Sequence, residues 1–199
     1  MNKSQKGLTM KFELQNCAIN LFKKYGCRQV TIRQICDALG IAKTTFYYYY
    51  ESKDDLILDF FGQVNFYAKE HIESILSAAD AVEQLWNICE LYLKPFNDAG
   101  QIIVSELFSI NFDMNVLSLA PEDVFLRDVM ITLIKRAKDS GQIRNTAPAE
   151  ILHTTLTYAL VGISVIWATK KSDDYDLIAK SREAFEIHLM LHNSNSAIE

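Results

Sequence analysis

The residues best suited to chemistry crowd into one short stretch, KTTFYYYYESK at residues 43–53, where two lysines and two threonines bracket a phenylalanine and four tyrosines. A phenol presents a flat apolar face to a thymine methyl and a hydroxyl to a phosphate oxygen, so this density of side chains suits recognition of DNA. On a helix successive side chains turn by about 100°, so the four rings point four ways. Phasing on Phe46 as a core residue makes Tyr50 a second core ring, sends Thr44 and Tyr48 outward, and leaves Tyr47 and Tyr49 on the two flanks.

Elsewhere the reactive residues are scattered. Cys17, Cys27, Cys36 and Cys89 have no C-x-x-C spacing and no histidines at zinc-finger distances, so they read as small core residues in a reducing compartment. Of His71, His153, His188 and His192 only the last two lie at i, i+4, and no third ligand joins them. There is no G-x-S-x-G elbow and no glycine-rich phosphate loop. The expectation is a protein that is not an enzyme and uses no metal or cofactor; an all-α enzyme with a chance helical hairpin would require a catalytic constellation that is missing.

The net charge of −5 is unevenly spread. Residues 1–50 carry eight Lys/Arg against Glu13 and Asp37, a balance of +6, and the rest of the chain carries −11. A basic head on an acidic body points to an anionic partner at the N-terminal end. Nothing at the start resembles a signal peptide, and the longest apolar run, LTYALVGISVIWA at residues 156–168, is too short to span a bilayer, so a cytoplasmic protein with no membrane partner is expected.

The elements that position the tyrosines follow from periodicity. Leu14, Cys17, Ala18, Leu21, Phe22 and Tyr25 repeat as one face of a first helix, which Gly26 ends. Thr31 with Gln34 is a capping box opening a second short helix whose apolar face is Ile32, Ile35, Cys36 and Leu39. Gly40 breaks it, Ile41 returns to the core, and the helix bearing the tyrosines starts within a few residues, which makes a helix-turn-helix. Ser52 and Asp55 open a fourth helix with Lys53 on its first turn. Further helices are expected near 81–96, 101–113, 122–140, 148–170 and 174–192, punctuated by Pro95, Gly100, Pro121, Gly141 and Pro148. The fold class is all-α, with about nine helices.

The run CAINLFKKYGCRQVTIRQICDALGIAKTTFYYYYESKDDL, residues 17–56, resembles the N-terminal DNA-binding segment of the tetracycline-repressor (TetR) family. Shared are an alanine and a Leu-Phe pair before a glycine, a threonine opening the second helix, a Gly-aliphatic turn, and aromatics leading to Ser-Lys-acid. The resemblance implies that Lys43, Thr44, Thr45 and Tyr48 face bases or nearby backbone and that Thr31, Arg33, Tyr47, Tyr49 and Lys53 contact phosphates. Ala42 departs from the serine usual at the cap, which weakens the start of the third helix by roughly 1 kcal/mol. Tyr49 and Tyr50 stand where the family commonly has histidine and phenylalanine.

Two domains are expected, a DNA-binding head at 1–52 and a ligand-binding and dimerisation domain at 53–199. The helix at 148–170 is apolar nearly all round, which calls for burial on more than one side. A homodimer interface is expected on Leu152, Ala159, Gly162 and Ile166 together with Phe185 and Leu189 of the last helix, because a palindromic site requires two copies. By the same resemblance, the central residues Trp86, Tyr92, Phe96, Phe108, Phe112, Phe125, His153 and Trp167 enclose a small-molecule effector. The resulting expectation is a ligand-responsive repressor; the rival is an architectural or cell-division regulator of the same fold without an inducer.

Overall fold

The computed structural model describes residues 3–62, 72–78, 80–113, 124–170 and 174–191. Within them the chain forms ten helices: α1 (Lys3–Tyr25), α2 (Ile32–Leu39), α3 (Lys43–Tyr49), α4 (Lys53–Gly62), α5 (Ile72–Ile75), α6 (Ala81–Ala99), α7 (Gln101–Asp113), α8 (Val124–Asp139), α9 (Ala149–Thr169) and α10 (Leu177–Leu189). His71, His192 and Pro121 lie outside the described residues. The chain divides into two compact units, residues 1–63 with 98–116, and residues 64–97 with 117–199.

In the first unit α1 packs against α2, α4 and α7. Leu14, Ala18 and Phe22 are fully buried, whereas Tyr25, expected on the same face, is exposed because the helix ends there and Gly26 takes the left-handed conformation, φ 84°. The capping box closes on both sides: the Gln34 amide donates to Thr31 Oγ1 (3.2 Å) and the Thr31 amide to Gln34 Oε1 (2.8 Å). At the other end Gly40, φ 65°, donates back to the carbonyls of Asp37 and Cys36, the left-handed stop that glycine supplies without strain. Val104, Leu107, Phe108 and Ile110 of α7 are buried in this unit, so it takes in more than the N-terminal run.

In the second unit α9 packs on α8 and α10. α6 opens with Asp80 Oδ1 accepting from the amides of Val82 and Glu83, both at 2.9 Å. It does not stop at Pro95 but runs through it to Ala99. A proline already has helical φ and forfeits one backbone bond, a loss that burial of Leu93 and Ala99 on either side offsets; Gly100, φ 88°, ends the helix instead. Arg182 clamps α10 to α6, donating to Glu83 Oε1 and to Glu186 Oε1, each at 2.6 Å, while its guanidinium lies 5.0 Å over the Trp86 ring. Trp86 meets Phe185 edge-on at 5.3 Å.

Among the described residues α9 is the one helix whose length and composition would allow a membrane crossing, longer than the apolar run suggested. It turns His153 and Ser164 inward together with Leu152, Leu156 and Trp167, the pattern of a core helix.

Candidate nucleic-acid interface

Local sequence explains how α3 is held. Ala42 caps it in extended conformation with no side-chain bond, as its missing hydroxyl implies, and Thr45 N donates to Ala42 O at 2.9 Å. Phe46 is fully buried and fixes the helix from its centre. At the exit Tyr50 leaves the helix in extended conformation, and its ring is only 2% exposed. Its hydroxyl donates to Asp59 Oδ2 at 3.0 Å. Asp59, on α4, also accepts from Gln15 Nε2 (2.6 Å) and Lys11 Nζ (2.8 Å) of α1. One carboxylate therefore joins α1, the end of α3 and α4. Burial pushes the Tyr50 phenol pKa well up, and the bond to Asp59 and its charge add to the rise.

What faces outward is then settled by phase. Tyr48 is 81% exposed and Tyr47 54%; Lys43 and Thr44 are exposed beside them. Tyr49 and Thr45 are half-buried, and Tyr49 braces Tyr48 edge-on, ring centres 4.9 Å apart. Thr31 and Arg33 are exposed at the start of α2, but the Thr31 hydroxyl is engaged in its capping box and Arg33 pairs with Asp37 at 3.6 Å. Lys53 departs from the expectation. Its ammonium group points back into the head and donates to the carbonyls of Cys27 (2.8 Å) and Val30 (2.7 Å), tying the loop before α2 to the first turn of α4. With two of three donors held, it is first a brace and only then a phosphate contact.

Lys11, Gln15 and Asp59 were not among the expected site residues. The available signals were a lone carboxylate in the apolar run LILDFFG and a glutamine beside Leu14 on the buried face of α1.

A basic helix-turn-helix with an aromatic and hydroxyl face is the geometry of a major-groove reader. The sequence profile described as bacterial regulatory proteins, tetR family, matches residues 16–60. That stretch is similar to the DNA-binding segment of TetR-family regulators. The chain's fold is similar to that of the fatty acid degradation regulator FadR from Bacillus halodurans (19% identity, covering 90% of this chain and 94% of that chain, TM-score 0.63). It is also similar to Thermus thermophilus FadR in complex with lauroyl-CoA (19%, 95% and 99%, TM-score 0.60) and to Bacillus subtilis FadR in complex with stearoyl-CoA (17%, 94% and 99%, TM-score 0.60). Likeness at this identity speaks for fold alone. No curated protein sequence matches the chain.

The residues expected to surround an effector are divided between the two units. Phe108 and Phe112 belong to the first unit, where Phe108 fills the core and Phe112 is exposed, because α7 packs on α1 and α4. In the second unit Trp86 and Trp167 are buried, Tyr92 and Phe96 half-buried, and Phe125 exposed. Of the whole set only His153 lines either cleft described in that unit.

The expected dimer face needs the same kind of correction. Leu152, Phe185 and Leu189 are at most 1% exposed within the single chain, so they fill its core and cannot meet a second copy. Ala159 and Gly162 are half-buried, and Ile166 is exposed with Ile151 and Tyr158 on the same side of α9. His188 is likewise structural: its Nε2 lies 3.1 Å from Thr155 Oγ1 and 3.2 Å from the Leu152 carbonyl. The four cysteines are free thiols, with burial pushing Cys27 up to about 11 and Cys89 up to about 12, so both stay protonated at neutral pH.

Proposed function

We propose that this chain is a TetR-type transcriptional repressor that seats α3 of each of two copies in the major groove of a palindromic operator, and that a small molecule weakens the complex. The observation that carries the reading is the outward face of α3, where Lys43, Thr44, Tyr47 and Tyr48 stand exposed on a helix anchored by Phe46 and Tyr50. A major groove about 12 Å wide admits such a helix. Arg33 and Lys43 supply phosphate affinity, with Thr31, Thr45, Tyr49 and the remaining donor of Lys53 at the rim, and Tyr48 reads bases.

Dimerisation is supported by Ile151, Tyr158 and Ile166 on α9, Ile187 on α10 and Met190 just after it, all at least half exposed, an apolar surface that a second copy would cover. Responsiveness to a ligand rests on the fold shared with two FadR proteins crystallised with acyl-CoA. The second reading is an architectural regulator that needs no inducer. The test is to recover the DNA retained by the purified chain and footprint it. Two protected half-sites, about 34–36 Å or a multiple apart along the duplex, are expected. A single unpaired footprint overturns the dimeric operator, and operator binding indifferent to every small molecule tried moves the assignment to the second reading.

A further inference from the structure

α3 is only seven residues long, and it is fastened unevenly. At its start Ala42 offers no side-chain bond, so the first turn closes on backbone alone, Thr45 N to Ala42 O. At its centre Phe46 is fully buried. At its exit Tyr50 is buried against Phe46, ring centres 5.9 Å apart, and donates its hydroxyl to Asp59 Oδ2 of α4 at 3.0 Å. Two fixed points set the direction of a short rod, and here the second is a hydrogen bond to another helix. Asp59 is held in turn by Gln15 Nε2 (2.6 Å) and Lys11 Nζ (2.8 Å) of α1, so the Tyr50 hydroxyl takes its position from α1 and α4 together. A phenylalanine would fill the same space without burying a hydroxyl, so packing does not account for the oxygen; what it adds is a directional tie.

The lever that this tie controls is short. At 1.5 Å of rise per residue Tyr50 lies about 6 Å along the axis beyond Phe46, and Lys43 about 4.5 Å before it. A shift of about 1 Å at Tyr50 therefore tilts the helix by about 10° and carries Lys43 about 0.8 Å the other way. Binding groups need to be held within about 0.5 Å and 10–20° of their productive geometry. Such a tilt is enough to spoil a base contact by Thr44 or Tyr48, whereas a phosphate contact, which carries no sequence information, survives it.

We infer that Asp59 and the Tyr50 hydroxyl are positioning groups for DNA recognition: without touching DNA they fix the tilt of α3, and with it the discrimination between the operator and other sequences. The inference rests on the operator reading above and deepens it.

The experiment measures the affinity of the full chain for its recovered operator and for random-sequence duplex of the same length, taken as a ratio, at a temperature where melting curves show every variant folded. Tyr50→Phe and Asp59→Asn should each lower the ratio about fivefold or more, the loss of one good base contact, by weakening the operator complex. In Tyr50→Phe the salt dependence of binding to random-sequence DNA should stay as it is, because no phosphate contact is removed. Ile57→Val trims a buried residue of the same α4, loosens the head without touching the tie, and should leave the ratio where it was. A ratio unchanged in both tie variants, or lowered as much by Ile57→Val as by them, reduces Asp59 to a structural role and overturns the inference while the operator reading stands. A parent chain that binds no duplex, or prefers no sequence, overturns the operator reading and this inference with it.

Discussion

Replacing Asp59 by alanine should loosen the head more than any other single change to a partly exposed side chain there. Three donors, two from α1 and one from the end of α3, converge on its carboxylate at 2.6, 2.8 and 3.0 Å. Alanine leaves the Tyr50 hydroxyl, buried beneath the helix it terminates, without its acceptor, a loss of about 1–3 kcal/mol. The Gln15 bond adds roughly 0.5–1.5 kcal/mol. Lys11, about a third exposed, can turn to water and contributes at most about 1 kcal/mol. The sum is about 3 kcal/mol, with Tyr50→Phe alone costing only about 1 kcal/mol because Asp59 keeps its other donors. Urea denaturation of the parent, Tyr50→Phe, Asp59→Ala and the double variant measures these values and the coupling between the two sites. A loss below about 0.5 kcal/mol for Asp59→Ala, or no coupling to Tyr50, would refute the claim that one carboxylate holds the three elements together.

The same tyrosine sets an alkaline limit. Since its folded pKa lies above the ordinary value of 10.0, its contribution is complete below pH 10 and is lost as pH rises further, and Tyr50→Phe should flatten that limb of a stability profile. Tyr48→Ala should change which operator bases are preferred, at about 1–3 kcal/mol for the lost contact, while leaving the melting temperature in place; footprints on altered operators read this out. Lys53→Ala should lower stability by about 1–3 kcal/mol, because two loop carbonyls lose their donor, and should flatten the salt dependence of DNA binding by less than a full phosphate contact would. Tyr158→Glu, on the exposed side of α9, should yield monomers in sedimentation and lose operator binding, whereas Leu152→Glu should simply unfold the second unit.

What the sequence discloses about this molecule is local. The Thr31–Gln34 box, the Gly40 stop, the absent cap at Ala42 and the phases of Phe46, Tyr48 and Tyr50 depend on residues within a turn or two of one another, and each stands as its chemistry requires. The bracing role of Lys53 is not legible in the same way, because its partners, the carbonyls of Cys27 and Val30, are backbone groups more than twenty positions away that no side-chain pattern marks. Leu152, expected on an open side of α9, is buried for a related reason. A helix apolar on every side offers no contrast by which to tell the face its own unit covers from the face left open, and only the positions of α8 and α10 decide. The placing of the aromatic residues is decided at longer range still: nothing in Phe108 or Phe112 reveals that α7 packs beside α1 and α4.

The outward side chains of α3 have a consequence for descent. Lys43, Thr44 and Tyr48 are exposed, whereas the helix is held by Phe46 and Tyr50 from beneath. Substitutions at surface positions of this kind usually change stability by less than about 0.5 kcal/mol. Operator preference in this lineage can therefore drift, or be recoded by hand, one residue at a time without the chain passing through an unfolded intermediate. On the proposed reading the positions that decide where the protein binds are nearly separate from those that decide whether it folds, and a duplicated copy could acquire a new target long before it lost its shape.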